Sequence, residues 1–129
     1  MSTSARAGRK SVLLVEDDAD IRGLVGDFLR DEGYDVVAVD DGGAAIRALH
    51  ANRPPPDELG LVVLDMMLPV ADGVEVLRVL GDLGHYVPVV AMSANREQLR
   101  RAYEAGAAAT LSKPFDLDGL LDVVRRNGA

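Results

Sequence analysis

No cysteine occurs in the 129 residues. That excludes disulfides, thiolate zinc sites and cysteine nucleophiles, and it permits a cytoplasmic location. Only two histidines are present, His50 and His85, far apart in the chain, so a histidine-rich metal site is excluded. No apolar run approaches the roughly 20 residues of a membrane span, and the start, MSTSARAGRK, has no hydrophobic stretch. Neither a membrane association nor a secretory signal is expected. Positive charge is also scarce: 14 Lys and Arg stand against 21 Asp and Glu, a formal charge of −7. Such a surface repels nucleic-acid phosphates, so direct nucleic-acid binding is not expected.

What is present is a globular chain of single-domain length, 48% hydrophobic and 27% charged. Residues 1–10 are polar and small, and read as a flexible tail. Thereafter five short apolar runs recur: Val12 to Val15, Val36 to Val39, Leu61 to Leu64, Val87 to Met92 and Ala107 to Leu111. None alternates cleanly with polar residues, and four are rich in β-branched ones, which is how strands buried on both faces of a parallel sheet read. Between them lie helical stripes. Ile21, Leu24, Val25, Phe28 and Leu29 share one face, as do Val76, Leu77, Leu80 and Leu83, and Leu117, Leu120, Leu121 and Val124. Segments 43–52 and 95–105 are helical with small residues inward. Gly33 and Gly106 occupy helix C-terminal positions, and Asp72 and Asp116 helix N-caps. Five strands alternating with five helices predict an α/β doubly wound domain.

In such sheets ligands bind outside the carboxyl ends of the strands. The residues falling there are Glu16, Asp17 and Asp18 after the first run, Asp65 after the third, Ser93 after the fourth and Lys113 after the fifth. Asp18 or Asp20 alone reads as a helix cap. An ionisable Asp65 ending a fully apolar strand is harder to dismiss, because an unused charge there is costly. Clustered carboxylates resist ionising together, and a hard cation such as Mg²⁺ relieves that. A lysine beside a metal-bound carboxylate suits a second anion, and phosphoryl transfer relies on such charge neutralisation. A carboxylate can itself be the nucleophile, giving an aspartyl phosphate, with the Ser93 hydroxyl donating to a phosphoryl oxygen.

The motifs VLLVEDDADIR, LVVLDMMLPVADG, VVAMSAN and LSKPF resemble those of the receiver domain of two-component response regulators, over residues 11–126. The resemblance implies a flavodoxin-like parallel sheet of order 2-1-3-4-5 with five helices. It implies Asp65 as the phosphoacceptor, and Glu16, Asp17, Asp65 and the Met67 backbone carbonyl as ligands of Mg²⁺ (or Mn²⁺). Ser93, Lys113 and the backbone amides of Met66 and Ala94 would stabilise the phosphoryl group, and Lys113–Pro114 would be cis. A sensor histidine kinase or histidine phosphotransfer protein would supply the phosphoryl group, and a downstream protein target would read the switched surface. On this reading the domain is a signalling switch that assists its own phosphorylation and autodephosphorylation, not an enzyme in its own right.

The sequence departs from the family in several places. The switch position, usually aromatic, is Thr110, which removes an aromatic gate: either the switch is muted or a different residue, such as Tyr103, reports the state. Ala108-Ala109 replace an acidic pair that supports an ionic dimer in other members. Arg53-Pro54-Pro55-Pro56 reads as a stiff polyproline loop without catalytic role. Met67 and Asn95, each two residues beyond a site residue, are expected to flank the site, and methionine there predicts slow loss of the phosphoryl group. No output domain is expected, because the last helix ends at Arg125-Arg126; a stand-alone receiver and an N-terminal portion of a longer protein both fit.

Two other readings use the same fold class or chemistry. A flavodoxin-like electron carrier needs a Ser/Thr/Gly-rich phosphate cradle after the first strand, where this chain has Glu-Asp-Asp. A Mg²⁺-dependent phosphatase with an aspartyl nucleophile needs a larger cap or cleft. A third, a receiver that binds partners without phosphorylation, conflicts with the complete set of acids, hydroxyl and amine.

Overall fold

The computed structural model describes residues 11–128; the expected tail, residues 1–10, lies outside the described residues. Strands and helices alternate: β1 (Ser11–Val15), α1 (Ala19–Asp31), β2 (Asp35–Val39), α2 (Gly42–His50), β3 (Leu59–Asp65), α3 (Gly73–Asp82), β4 (Val89–Ser93), α4 (Arg96–Glu104), β5 (Ala109–Ser112) and α5 (Leu117–Asn127). The strands form one parallel sheet of order β2-β1-β3-β4-β5, the order the resemblance implied.

The helices start where short polar side chains replace missing backbone partners. Asp18, Asp41, Asp72, Asn95 and Asp116 each accept a bond from the amide three residues on. Asp72 and Asp116 are therefore caps as expected, and Asp18 takes the cap role rather than a place among the ligands. Gly33, Gly84 and Gly106 follow three helix ends at φ +99°, +76° and +108°, a left-handed conformation that glycine adopts without steric cost.

Two apolar layers hold the sheet between helices. On one face Leu13, Val15, Val62 and Leu64 pack with Ala45 and Leu49 of α2, Val76, Leu77 and Leu80 of α3 and Ala102 of α4. On the other, Val12, Leu14, Leu61, Val63 and Met92 pack with Val25 and Leu29 of α1 and Leu120 and Val124 of α5. β1, β3 and β4 are thus buried on both faces, as their sequences suggested.

Several expectations are corrected. β2 and β5 are edge strands, only half-buried, with Thr110 and Ser112 exposed. β4 begins at Val89 rather than Val87, since Pro88 has no N–H for the ladder and offers only its carbonyl, to Val62 at 3.0 Å. Leu24 is 58% exposed despite its place in the α1 stripe, and Leu83 caps the end of α3 at the surface. The segment after α2 is not an extended polyproline stretch. Arg53–Pro54 is cis, Pro54 is buried, and Glu58 and Leu59 donate back to the Pro55 carbonyl to close a turn. Lys113–Pro114 is cis, as expected.

Candidate functional site

Because all five strands run parallel, their carboxyl ends form one rim. Glu16 and Asp17 follow β1, Asp65 ends β3, Ser93 ends β4, and Lys113 follows β5. One carboxylate oxygen from each of Glu16, Asp17 and Asp65 lies within 4.8 Å of the others. Glu16 and Asp65 are buried and Asp17 is exposed. Lys113 Nζ reaches across the rim and donates to Glu16 Oε1 at 2.7 Å and to Asp65 Oδ2 at 3.2 Å.

The backbone around these groups is tightly held. The Asp18 amide donates to Glu16 Oε2 at 3.1 Å, and the Met67 amide donates to Asp65 Oδ1 at 3.1 Å. Ser93 is buried; its Oγ accepts from the Asn95 amide and its carbonyl accepts from the Lys113 amide, each at 3.0 Å. The second bond ties the loop carrying Lys113 to the strand carrying the hydroxyl.

Three carboxylates face one ammonium, so negative charge is in excess. Burial pushes the Glu16 carboxyl up to about 7; the bond from Lys113 opposes this, and Asp65 beside it adds to it. Burial alone would lower the Lys113 ammonium, but its bonds to Glu16 and Asp65 outweigh that and raise it. Hard, oxygen-only donors with uncompensated charge fit a divalent cation such as Mg²⁺. Glu16, Asp17 and Asp65 would hold it.

One sequence expectation fails here. The Met66 amide does not face the site: it donates to the Met92 carbonyl at 3.0 Å, extending the β3–β4 ladder one residue past Asp65. The amide presented to the Asp65 carboxylate is that of Met67. Asn95 stands beside the site, with its amide on Ser93 Oγ, while its side-chain Oδ1 accepts from the Gln98 amide at 3.1 Å as the α4 cap. Met67 itself is 57% exposed at the rim.

Arg22 was not singled out from the sequence. Its guanidinium donates to the carbonyls of Glu16 at 3.0 Å and Asp17 at 3.4 Å. One turn into α1, it pins the acidic loop by its backbone and leaves the carboxylates free. The only sequence signal is an arginine following an acidic turn by a few residues.

Beside Lys113 a groove of about 380 Å³ runs between α1 and the β5–α5 loop. Ile21, Leu24, Ala94, Pro114, Phe115 and Leu117 line it. The exposed Leu24 is one wall of this groove.

Residues 12–125 match the family described as response regulator receiver domain. The chain is 31% identical to the sporulation initiation phosphotransferase F of Bacillus subtilis, over 91% of this chain and 92% of that protein. It is 36% identical to a probable transcriptional regulatory protein of Picosynechococcus, over 94% of this chain and 48% of that protein. It is 37% identical to the DNA-binding response regulator MtrA of Mycolicibacterium paratuberculosis, over 91% and 50%. The chain thus spans about half the length of these two regulators. Among solved structures, the chemotaxis response regulator CheY4 of Vibrio cholerae matches with a TM-score of 0.78 at 27% identity, over 90% of this chain and 96% of that one. The receiver domain of NtrX from Brucella abortus matches with a TM-score of 0.77 at 34% identity, over 89% and 95%. A match that runs from β1 into α5 makes this chain a member of the response regulator receiver-domain family.

Proposed function

We propose that residues 11–126 act as one receiver unit in which Asp65 accepts a phosphoryl group from a phosphohistidine. The observation that carries this is the placement of the Lys113 ammonium 3.2 Å from Asp65 Oδ2 beside the Glu16 and Asp17 carboxylates. An Asp65 carboxylate oxygen attacks phosphorus, the bond to the histidine nitrogen breaks, and an acyl phosphate forms. Bound Mg²⁺ (or Mn²⁺) would neutralise phosphoryl charge, held by Glu16, Asp17, Asp65 and the Met67 carbonyl. Lys113 supplies a second positive charge. The Ser93 hydroxyl and the Ala94 amide donate to phosphoryl oxygens, and the Met67 amide, already bonded to Asp65 Oδ1, takes the role expected of Met66.

Receiver domains are signalling switches and interact with histidine kinases or phosphotransfer proteins. Here the apolar groove beside Lys113 is the docking place for that donor, since it borders the residue the phosphohistidine must approach. Burying Leu24 in such a contact would explain an exposed leucine in the α1 stripe. Phosphorylation draws Ser93 and Lys113 toward the new anion. The β5 surface, with Thr110 exposed in place of an aromatic gate, then shifts population without a swinging ring, and a downstream protein reads the change. Among the described residues no helix is long and apolar enough to cross a membrane, which accords with a cytoplasmic role.

The test is incubation with Mg²⁺ and acetyl phosphate followed by intact mass. Wild type gains one phosphoryl group, and Asp65→Asn gains none. Equal labelling of both proteins, or none without chelator, overturns the assignment.

A further inference from the structure

We infer that Met67 is an oxidation site, and that a peroxide acting on its thioether shortens the life of the phosphoryl group on Asp65. The inference rests on Asp65 being the phosphoacceptor. Among the described residues the methionines are Met66, Met67 and Met92. Met67 is 57% exposed, whereas the other two are fully buried. Met66 and Met92 belong to the two apolar layers, where an oxidant gains access only through local opening. Met67 instead borders a pocket of about 300 Å³ between the β3–α3 loop and α4, with Asp72 and Gln98 as polar neighbours. A small, water-borne oxidant reaches its sulfur with the fold closed.

The position gives the modification a consequence. The Met67 amide donates to Asp65 Oδ1 at 3.1 Å, and an N–Cα bond of about 1.5 Å then puts the Met67 Cα within about 4.6 Å of that oxygen. The side chain thus starts beside the carboxylate and continues into water. Oxidation is a balanced two-electron step. The sulfur lone pair takes one oxygen of hydrogen peroxide and the O–O bond breaks. The departing hydroxide removes the proton from the sulfur-bound oxygen and leaves as water, so that sulfur is oxidised and peroxide oxygen reduced.

A thioether accepts hydrogen bonds weakly. The sulfoxide oxygen carries partial negative charge and accepts them well. A water bonded to it is held beside the acyl phosphate, placed to attack phosphorus. A sulfoxide is too weak a base to take that water's proton, so the gain falls short of the roughly hundredfold of a general base, at about threefold to tenfold. Because Met67 lies outside the core, the added oxygen disturbs no packing.

The test treats the whole chain with dilute hydrogen peroxide until peptide mapping shows Met67 fully oxidised, then quenches with catalase. Met66 and Met92 should remain unoxidised. Treated and untreated protein are labelled with acetyl phosphate and Mg²⁺, the donor is removed, and the phosphorylated mass is followed. The treated protein should lose its phosphoryl group about threefold to tenfold faster, with unchanged thermal melting. Methionine sulfoxide reductases A and B with dithiothreitol should restore the slower decay. Met67→Leu keeps the other three methionines. Its own decay, compared only with itself, should be the same before and after peroxide, which assigns the effect to residue 67 rather than to Met1. Untreated protein that takes up no phosphoryl group would overturn the Asp65 reading itself. With that uptake intact, four outcomes overturn the inference alone. They are equal or slower decay after oxidation, no uptake by the oxidised chain, oxidation of Met66 or Met92 as readily as Met67, and a peroxide response that persists in Met67→Leu.

Discussion

The Lys113 ammonium donates to the Glu16 carboxylate at 2.7 Å across 97 residues of chain, and that single bond joins the first and last strands of the site. Glu16 is fully buried, so the ion pair is the main relief for a charge withdrawn from water. Lys113→Met should raise the Glu16 carboxyl further above about 7. At about pH 8 the variant should be less stable than wild type by about 1–3 kcal/mol. Near pH 6 the deficit should shrink, because Glu16 then carries a proton. Urea unfolding at both pH values measures this, and an equal deficit at the two would show that Glu16 is not the group left unpaired.

Magnesium and pH should act together. A carboxyl raised on folding from 4.5 to about 7 binds its proton more tightly in the folded chain. Its contribution to stability is therefore complete below about pH 4.5 and is lost as pH rises through about 7. Metal-free protein should lose stability over that window. Added Mg²⁺ requires the deprotonated carboxylate, so its stabilising effect should grow over the same window. Glu16→Gln should melt higher than wild type at about pH 8 without metal and respond less to Mg²⁺. A Mg²⁺-induced rise in melting temperature that is the same at about pH 5.5 and about pH 8 would contradict the assignment of Glu16 as a ligand.

The interior of this fold was legible from local pattern, and its edges were not. β1, β3 and β4 are apolar on both faces because helices cover both, and their runs say so. Val36 to Val39 reads the same way, yet it lies at an edge, because strand order is a property of the whole topology. Leu24 has the spacing of a core residue, but among the described residues it is left exposed as a wall of the groove beside Lys113. Residue types and strand-end positions were enough to predict that Glu16, Asp17, Asp65, Ser93 and Lys113 share one rim of the sheet. Which amide faces Asp65 was not, since Met66 and Met67 differ only in whether the β3–β4 ladder continues past Asp65. The role of Arg22 was hidden because it acts on carbonyls, which carry no sequence signal.

Arg22 should matter to the metal more than to the fold. Its two bonds hold the backbone of the acidic loop from a half-buried position on α1. Arg22→Ala should cost about 0.5–1.5 kcal/mol of stability and weaken Mg²⁺ binding by about tenfold, in the range typical of residues that orient ligands. Both bonds leave one nitrogen, Nη1, and an ammonium carries three donors, so Arg22→Lys should recover part of the lost affinity. Isothermal titration with Mg²⁺ reads the affinity and urea unfolding the stability. Unchanged affinity in Arg22→Ala would show that the loop holds its shape alone.

Met67 stands exposed beside the Asp65 carboxylate, with a thioether that accepts hydrogen bonds only weakly. A water approaching the acyl phosphate finds no partner there to orient it. Met67→Asn supplies a carbonyl and an amide at the same place and should speed loss of the phosphoryl group by about tenfold. The decay of the phosphorylated mass after removal of acetyl phosphate gives the rate. Decay no faster than wild type would place the control of lifetime elsewhere.

Two glycines in helices should respond to alanine in opposite directions. A Cβ at Gly42 would lie 1.7 Å from the Ala71 carbonyl oxygen, so α2 can start against the β3–α3 loop only if that residue has no side chain. Gly42→Ala must push that loop away, and the loop carries Met67. A loss of about 1–3 kcal/mol follows from the overpacking, together with slower phosphoryl uptake as the Asp65 surroundings shift. Gly81 near the end of α3 has nothing within 4 Å of the same added atom, and its helical backbone suits alanine. Gly81→Ala should stabilise by about 0.4–1 kcal/mol through reduced freedom of the unfolded chain, with phosphoryl uptake unchanged. Thermal melting and acetyl phosphate labelling of the two variants together separate steric access at the loop from helix propensity; stabilisation in both would mean that the α2 contact yields without cost.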